Sequence, residues 1–240
     1  MKVQLFIPCF VDQLYPQTAF NMVKVLEKAC CDVEYNRNQT CCGQPAYNAG
    51  FWSEAKSVAS KFISDFDNTD YIVAPSASCV GFVRNYYGGL FENSSQHNLV
   101  KSLSKRIFEF SEFLTGILKI ENFGAQLNVK ATYHDSCSAL RECKIKEGPR
   151  SLLKKVKGLE LVEMRETETC CGFGGTFAVQ FAGISHAMAD QKIQHALESG
   201  ASHIISTDLS CLMHLEGIIS KKTLSLQTVH IADVLASGWE

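Results

Sequence analysis

The sequence predicts an α/β protein built as two pseudo-symmetric parallel-sheet repeats packed as one compact unit. Three observations carry that reading. Short runs of β-branched and aromatic residues alternate with longer runs whose apolar residues recur at helical spacing, the order that builds a parallel sheet covered on both faces. That order occurs twice within 240 residues. Each half also carries the same cysteine pattern: Cys9, Cys41-Cys42-Gly43 and Cys79 in the first, Cys137, Cys170-Cys171-Gly172 and Cys211 in the second. Equivalent cysteines lie 128 to 132 residues apart, so only a few insertions separate the halves.

The elements follow in order. Val3 to Ile7 is a short β-rich run leading into the Pro8-Cys9 turn, and Pro16 to Ala29 is helical in spacing, with Pro16 tolerated in the first turn. Asp32 to Tyr35 reads as a second strand running into the Cys41 to Pro45 loop. A helix is expected to begin near Ala49, and from Trp52 to Phe66 it places Trp52, Ala55, Val58, Ala59 and Phe62 on one face. Tyr71 to Ala74 has the continuous apolar make-up of a buried strand and delivers Ser76 to Cys79 at its carboxyl end. The connecting region contains an Asn-Ser-Ser-Gln turn and an amphipathic stretch from Leu99 to Leu118, which places the repeat boundary near Asn122 and divides the chain into residues 1–122 and 123–240. In the second half, Asn128 to Tyr133 is a strand ending in the His134-Asp135-Ser136-Cys137 turn, and a helical segment starts near Pro149. A strand near Leu159 to Glu163, one long helix from Thr176 to Glu198 and the strand His203 to Ser206 complete the repeat, with Ile231 to Leu235 as a short closing helix. Ligands of such sheets collect beyond the carboxyl ends of the strands, and all six cysteine-bearing loops fall there.

Composition narrows the chemistry. With 46% hydrophobic residues the chain buries a core without disulfide staples, so its 11 cysteines have another use. A net charge of -2 offers nucleic acid no overall attraction, and no polynucleotide partner is expected. Met1 to Phe10 lacks the make-up of a signal peptide, and the long uncharged stretch Thr169 to Ala189 contains four glycines and is not a bilayer span. The expected compartment is the reducing cytosol, where thiols serve as metal ligands or catalytic groups.

Four thiolates from three converging loops are what a four-iron iron–sulfur cluster requires. Adjacent cysteines cannot aim at one centre from a regular strand, so each pair must lie in an irregular loop, and the glycine that follows supplies the backbone freedom. Gly43, Gly172, Gly174 and Gly175 are placed to turn amide donors toward anionic sulfur. The candidate ligands are Cys9, Cys41, Cys42 and Cys79 for one cluster, and Cys137, Cys170, Cys171 and Cys211 for the other. Zinc satisfies four thiolates equally well. Separations of more than thirty residues depart from the usual close pairs of zinc sites, but zinc in one half stays open.

The same residues carry a resemblance. Ile7-Pro8-Cys9, Thr40 to Pro45, Pro75 to Cys79, His134 to Cys137, Cys170 to Gly175 and Cys211-Leu212-Met213 resemble the lactate utilization protein A family, whose cysteine-rich CCG domain is duplicated as in the cysteine-rich subunit of heterodisulfide reductase. The resemblance implies an iron–sulfur protein needed to oxidise L-lactate to pyruvate, working with a ferredoxin-like B protein and a third, C protein. Heterodisulfide reductases have a fifth cysteine per site; here those positions are Ser76 and Asp208, so a five-thiolate cluster and disulfide chemistry are the lesser readings. A zinc scaffold is the third.

Other residues call for separate expectations. Cys30, Cys31 and Cys143 are expected as packing residues, Asp208 as a weak iron ligand or the cap of its own helix, and Arg84 and Arg141 as solvated surface charges. His134-Asp135 sits beside a proposed ligand, where it either tunes the site or ends a strand. Gly172-Phe173-Gly174-Gly175 lacks the Gly-Lys-Ser/Thr of a phosphate loop.

Overall fold

A computed structural model describes residues 1–239. The first half runs β1 (Lys2–Leu5), α1 (Cys9–Leu14), α2 (Pro16–Lys28), β2 (Asp32–Tyr35), α3 (Gln44–Asn48), α4 (Trp52–Asp65), β3 (Tyr71–Ala74), α5 (Ala77–Leu90), α6 (His97–Ser104) and β4 (Ile107–Glu109). A short helix α7 (Phe110–Glu112) then widens into a π-helical turn at Phe113–Leu118. The second half runs β5 (Gln126–Tyr133), a π-helical turn at Ser138–Glu142, α8 (Glu147–Leu153), β6 (Lys157–Leu161), α9 (Thr176–Gln180), α10 (Ala182–Glu198), β7 (His203–Ser206), α11 (Leu209–Lys221), β8 (Gln227–His230) and α12 (Ile231–Leu235).

Two four-stranded sheets result, ordered β2-β1-β3-β4 and β6-β5-β7-β8, and every pairing is parallel. The registers repeat: Ala74 lies opposite Glu109 and Ser206 opposite His230, so these two buried ionisable residues end the edge strands at equivalent places. Each sheet therefore has its central strands buried and its carboxyl edge free to present loops.

The halves share one core. Val3, Leu5, Met22, Val25 and Leu26 pack in the same buried cluster as Ile204, Leu215, Ile231 and Leu235. Polar contacts reinforce the seam: Asp233 accepts hydrogen bonds from Thr18 Oγ1 and Asn21 Nδ2, both at 2.9 Å. At the carboxyl edge, Gly81 of α5 packs so closely on the Ser138–Glu142 turn that an added Cβ would stand 2.6 Å from Glu142 Cβ. Cys143 is buried on this seam and its thiol donates to the Ala77 carbonyl, which makes it a packing residue as expected, and Cys31 is buried too; Cys30, expected to pack with them, is instead exposed at the turn that ends α2, with φ of +58°.

Several elements differ from expectation for local reasons. β1 ends at Leu5 because the Ile7 amide bonds to Gln39 Oε1 at 2.7 Å instead of to a neighbouring strand. β4 lies inside the stretch whose apolar residues follow helical spacing; three residues are too few to break that pattern. The helix expected near Ala49 starts earlier, as α3, directly after Gly43. The single helix expected over Thr176 to Glu198 is two, parted where Phe181 leaves helical backbone at φ -122° and ψ 47°. Phe51 parts α3 from α4 at the corresponding point, so the break belongs to the repeat. Among the described residues no helix is long and apolar enough to cross a membrane.

Candidate metal centre

Every cysteine loop leaves the carboxyl end of a strand. Cys9 opens α1 after β1, Cys79 lies in the first turn of α5 after β3, and the pair Cys41-Cys42 fills the irregular segment between β2 and α3. In the second half Cys137 precedes the π-helical turn after β5, Cys211 lies in the first turn of α11, and Cys170-Cys171 follows β6. One cavity of about 380 Å³ takes all eight side chains into its wall, with Ser78, Asp208 and Ser210 between the two sets. The deeper members, Cys42, Cys79, Cys171 and Cys211, are buried; Cys41, Cys137 and Cys170 are half-buried and Cys9 stands at the exposed rim.

Within each set the thiols contact one another in sequence, Cys9 to Cys41 to Cys42 to Cys79 and Cys137 to Cys170 to Cys171 to Cys211. The second member is the natural thiolate. Cys41 is held far below the ordinary thiol range by S–H donation from Cys42 and Cys9, and Cys170 by donation from Cys137 and Cys171. The amides of Gly43 and Gly172 add hydrogen bonds to those sulfurs at 3.3 and 3.4 Å. Cys42 and Cys171 are pushed up by that same donation and by burial, as donors must be.

The glycines are required at these points. Gly43 and Gly172 have φ of +92° and +91°, a region that side-chain-bearing residues rarely adopt. A Cβ on Gly172 would lie 2.5 Å from the Ser185 carbonyl oxygen of α10, and one on Gly43 would lie 3.2 Å from the Ala55 oxygen of α4. The loop thus rests directly on a helix while its amide faces sulfur. Gly174 and Gly175 line the cavity without the amide-to-sulfur bonds that Gly43 and Gly172 make.

Asp208 stands at the N-cap position of its own helix, as one expectation had it, but its carboxylate makes no backbone cap bond there. It accepts from the Ser210 hydroxyl of α11 and reaches into the other half, accepting from the Ser78 amide of α5 at 3.0 Å and from the Ser78 hydroxyl. Its backbone pairs with that of Ser76 in an isolated antiparallel bridge. The two positions occupied by a fifth cysteine in heterodisulfide reductases thus tie the halves together here. Arg84 is likewise not a solvated charge: it grips Glu112 through two bonds of 3.0 and 2.7 Å and donates to the Ile107 carbonyl. Arg141 is exposed, as expected.

Around the second set lies a polar shell that sequence reading only partly anticipated. His134 is wholly buried, and burial lowers its pKa to about 4, so the ring is neutral. Asp135 meets Arg150 through bonds of 2.8 and 2.7 Å, and Arg150 also holds Glu163. Lys192, buried in α10, donates to the carbonyls of Glu166 and Thr167 at 2.6 and 3.1 Å; burial lowers its pKa to about 8 against the pull of Cys171, Asp135 and Cys170. The first set has instead Tyr87, whose hydroxyl donates to the Cys42 carbonyl at 2.7 Å. Arg150, Lys192 and Tyr87 sit on apolar helix faces where a single polar residue gives no signal; aligning one half with the other would have exposed Lys192.

Chemically, each set offers four sulfur donors with amide support at the carboxyl edge of a sheet, an arrangement that fits a thiolate-bound cluster. The CCG cysteine-rich domain matches twice, over residues 3–84 and 131–216. Lactate utilization protein A of Halalkalibacterium halodurans is 42% identical over 98% of this chain and 96% of its own length. Lactate utilization protein A 1 of Bacillus mycoides is 43% identical over 98% and 96%. Among solved structures, a hypothetical protein from Helicobacter pylori superposes with a TM-score of 0.63 at 12% identity, over the full chain and 49% of that structure. The chain spans about half the length of that structure, and the likeness concerns the fold alone.

Proposed function

The chain belongs to the lactate utilization protein A family of cysteine-rich CCG-domain proteins, and from that membership we propose that it is an iron–sulfur electron-transfer subunit serving the oxidation of L-lactate to pyruvate. The observation that carries the reading is the convergence of two four-thiol sets on one cavity wall. Cys9, Cys41, Cys42 and Cys79 would hold one centre, and Cys137, Cys170, Cys171 and Cys211 the other. When bound, a four-iron centre takes up and returns single electrons. The chain's own residues prepare for it: the Gly43 and Gly172 amides offset anionic sulfur, the Tyr87 hydroxyl fixes the Cys42 carbonyl, and Lys192 sets a cation beside Cys170-Cys171.

Oxidising a 2-hydroxy acid removes two electrons, a task suited to a flavin or nicotinamide acceptor. This chain relays single electrons together with a ferredoxin-like B protein and a C protein. The disulfide-cleaving reading is weakened because Ser76 and Asp208 are engaged across the seam. The test is anaerobic: the chain is reconstituted with iron and sulfide, mixed with the two partner proteins, and given L-lactate while visible absorption is followed. Bleaching that needs both lactate and the partners supports the reading. A spectrum that dithionite bleaches but lactate never does, with both partners present, removes it.

A further inference from the structure

The two cysteine sets stand in unlike surroundings. Gly43 packs on Ala55 and Val58, and Gly172 on Ser185 and Met188, each 130 residues further on, which fixes the helix correspondence between halves. In that correspondence Phe62 matches Lys192, and just before the first cysteine of each half Phe6 matches His134. The first half fills the two positions with an edge-to-face aromatic pair whose centroids are 4.7 Å apart. The second fills them with an imidazole and an ammonium, 0% and 1% exposed.

Lys192 donates to two backbone carbonyls. His134 makes no such bond: neither ring nitrogen has a hydrogen-bond partner, and the Thr167 carbonyl lies beside the ring without the geometry of a bond. A buried polar group left unmade is costly and calls for an explanation. The ring offers one: a nitrogen of His134 and the sulfurs of Cys171 and Cys211 all lie within 4.8 Å of one another. Three soft or borderline donors so placed can be closed by a metal ion.

We propose that His134 is a nitrogen donor to the second-half metal centre beside Cys171 and Cys211, whereas the first-half centre, with Phe6 in the corresponding place, is held by thiolates alone. The inference rests on the metal-centre reading above.

The test is pulsed electron paramagnetic resonance on the full chain grown with ¹⁵N-imidazole histidine, prepared in two ways: reconstituted with iron and sulfide and then reduced, and loaded with Co²⁺ alone. Directly bound ¹⁵N coupling is expected in one of two centres, lost in His134→Phe and His134→Gln, lost in Cys171→Ser and retained in Cys42→Ser. His134→Phe copies the side chain of the first half, and His134→Gln is a milder change should the larger ring disturb the fold. Absence of histidine coupling in both wild-type preparations, or its persistence in His134→Phe, overturns the proposal. If iron and sulfide fail to assemble, the iron–sulfur reading falls while the Co²⁺ preparation still decides the role of His134; no uptake of either metal overturns both.

Discussion

Replacing Gly172 by alanine should damage this protein more than the same change at Gly43, although the two residues occupy equivalent loops. Both have φ near +90°, where an L-residue costs about 1–2 kcal/mol. They differ in what the new methyl group meets. At Gly172 the Cβ would lie 2.5 Å from the Ser185 carbonyl oxygen and 3.0 Å from Met188 Cβ, so α10 or the loop must move, an overpacking cost of about 1–3 kcal/mol. At Gly43 the nearest atom is the Ala55 oxygen at 3.2 Å, which a shift of a few tenths of an ångström relieves. Gly172→Ala should therefore lose about 2–5 kcal/mol and Gly43→Ala about 1–2. With a urea slope of roughly 3 kcal/mol/M, the unfolding midpoints of the metal-free proteins should differ by about 0.3–1 M. Movement of the Gly172 loop also lengthens the amide contact to Cys170, so Gly172→Ala should release metal from the second half first. Equal midpoints, or a larger loss at Gly43, would refute the argument that close approach to the helix dictates this glycine.

Further expectations follow from individual contacts. Asp135→Ala strands the buried Arg150 and should cost about 3 kcal/mol in chemical unfolding, whereas Glu163→Ala, which removes a half-exposed partner of the same arginine, should cost under about 1 kcal/mol. Burial raises the Glu109 carboxyl to about 8, so between its ordinary value near 4.5 and pH 8 the unfolded chain ionises while the folded one does not. Its contribution to stability is thus full below pH 4.5 and lost as pH rises to 8, at no more than about 1.4 kcal/mol per unit; Glu109→Gln should flatten that slope in unfolding curves measured across the window. In metal-loaded protein a thiol reagent should modify exposed Cys30 rapidly and the cavity cysteines slowly; chelation should expose Cys9, Cys41, Cys137 and Cys170 to it, and unchanged labelling after chelation would mean that those thiols hold no metal.

The duplicated α/β architecture was legible because the cysteine spacing and the strand–helix alternation repeat together, and six of eight strands lie close to where β-rich runs place them. Two of the four edge strands escaped for a physical reason. Ile107–Glu109 and Gln227–His230 are short, and their hydrogen bonding to a buried neighbour, not their composition, makes them strands. The eight candidate ligands were legible as a set, since nothing in a packing role explains adjacent cysteines followed by glycine twice. What the loops do to one another was not. Asp208 capping a helix of the other half, Ser76 bridging to it, and Arg84 reaching Glu112 are tertiary events between residues with no local pattern. His134 was singled out from its place next to a ligand loop, but its lack of hydrogen-bond partners emerges only once the sheet has buried it.

Metal and acid-labile sulfide content, half by half, decides most directly whether this chain carries electrons. Protein purified without oxygen, with Cys42→Ser and Cys171→Ser alongside, should be assayed for iron, zinc and sulfide and its visible spectrum recorded before and after dithionite. Two four-iron centres require about eight irons and about eight sulfides per chain, a broad band that dithionite bleaches, and about half of each in either variant. Zinc without sulfide, or a colourless protein unaffected by dithionite, would contradict the electron-transfer account and leave a metal-stabilised scaffold.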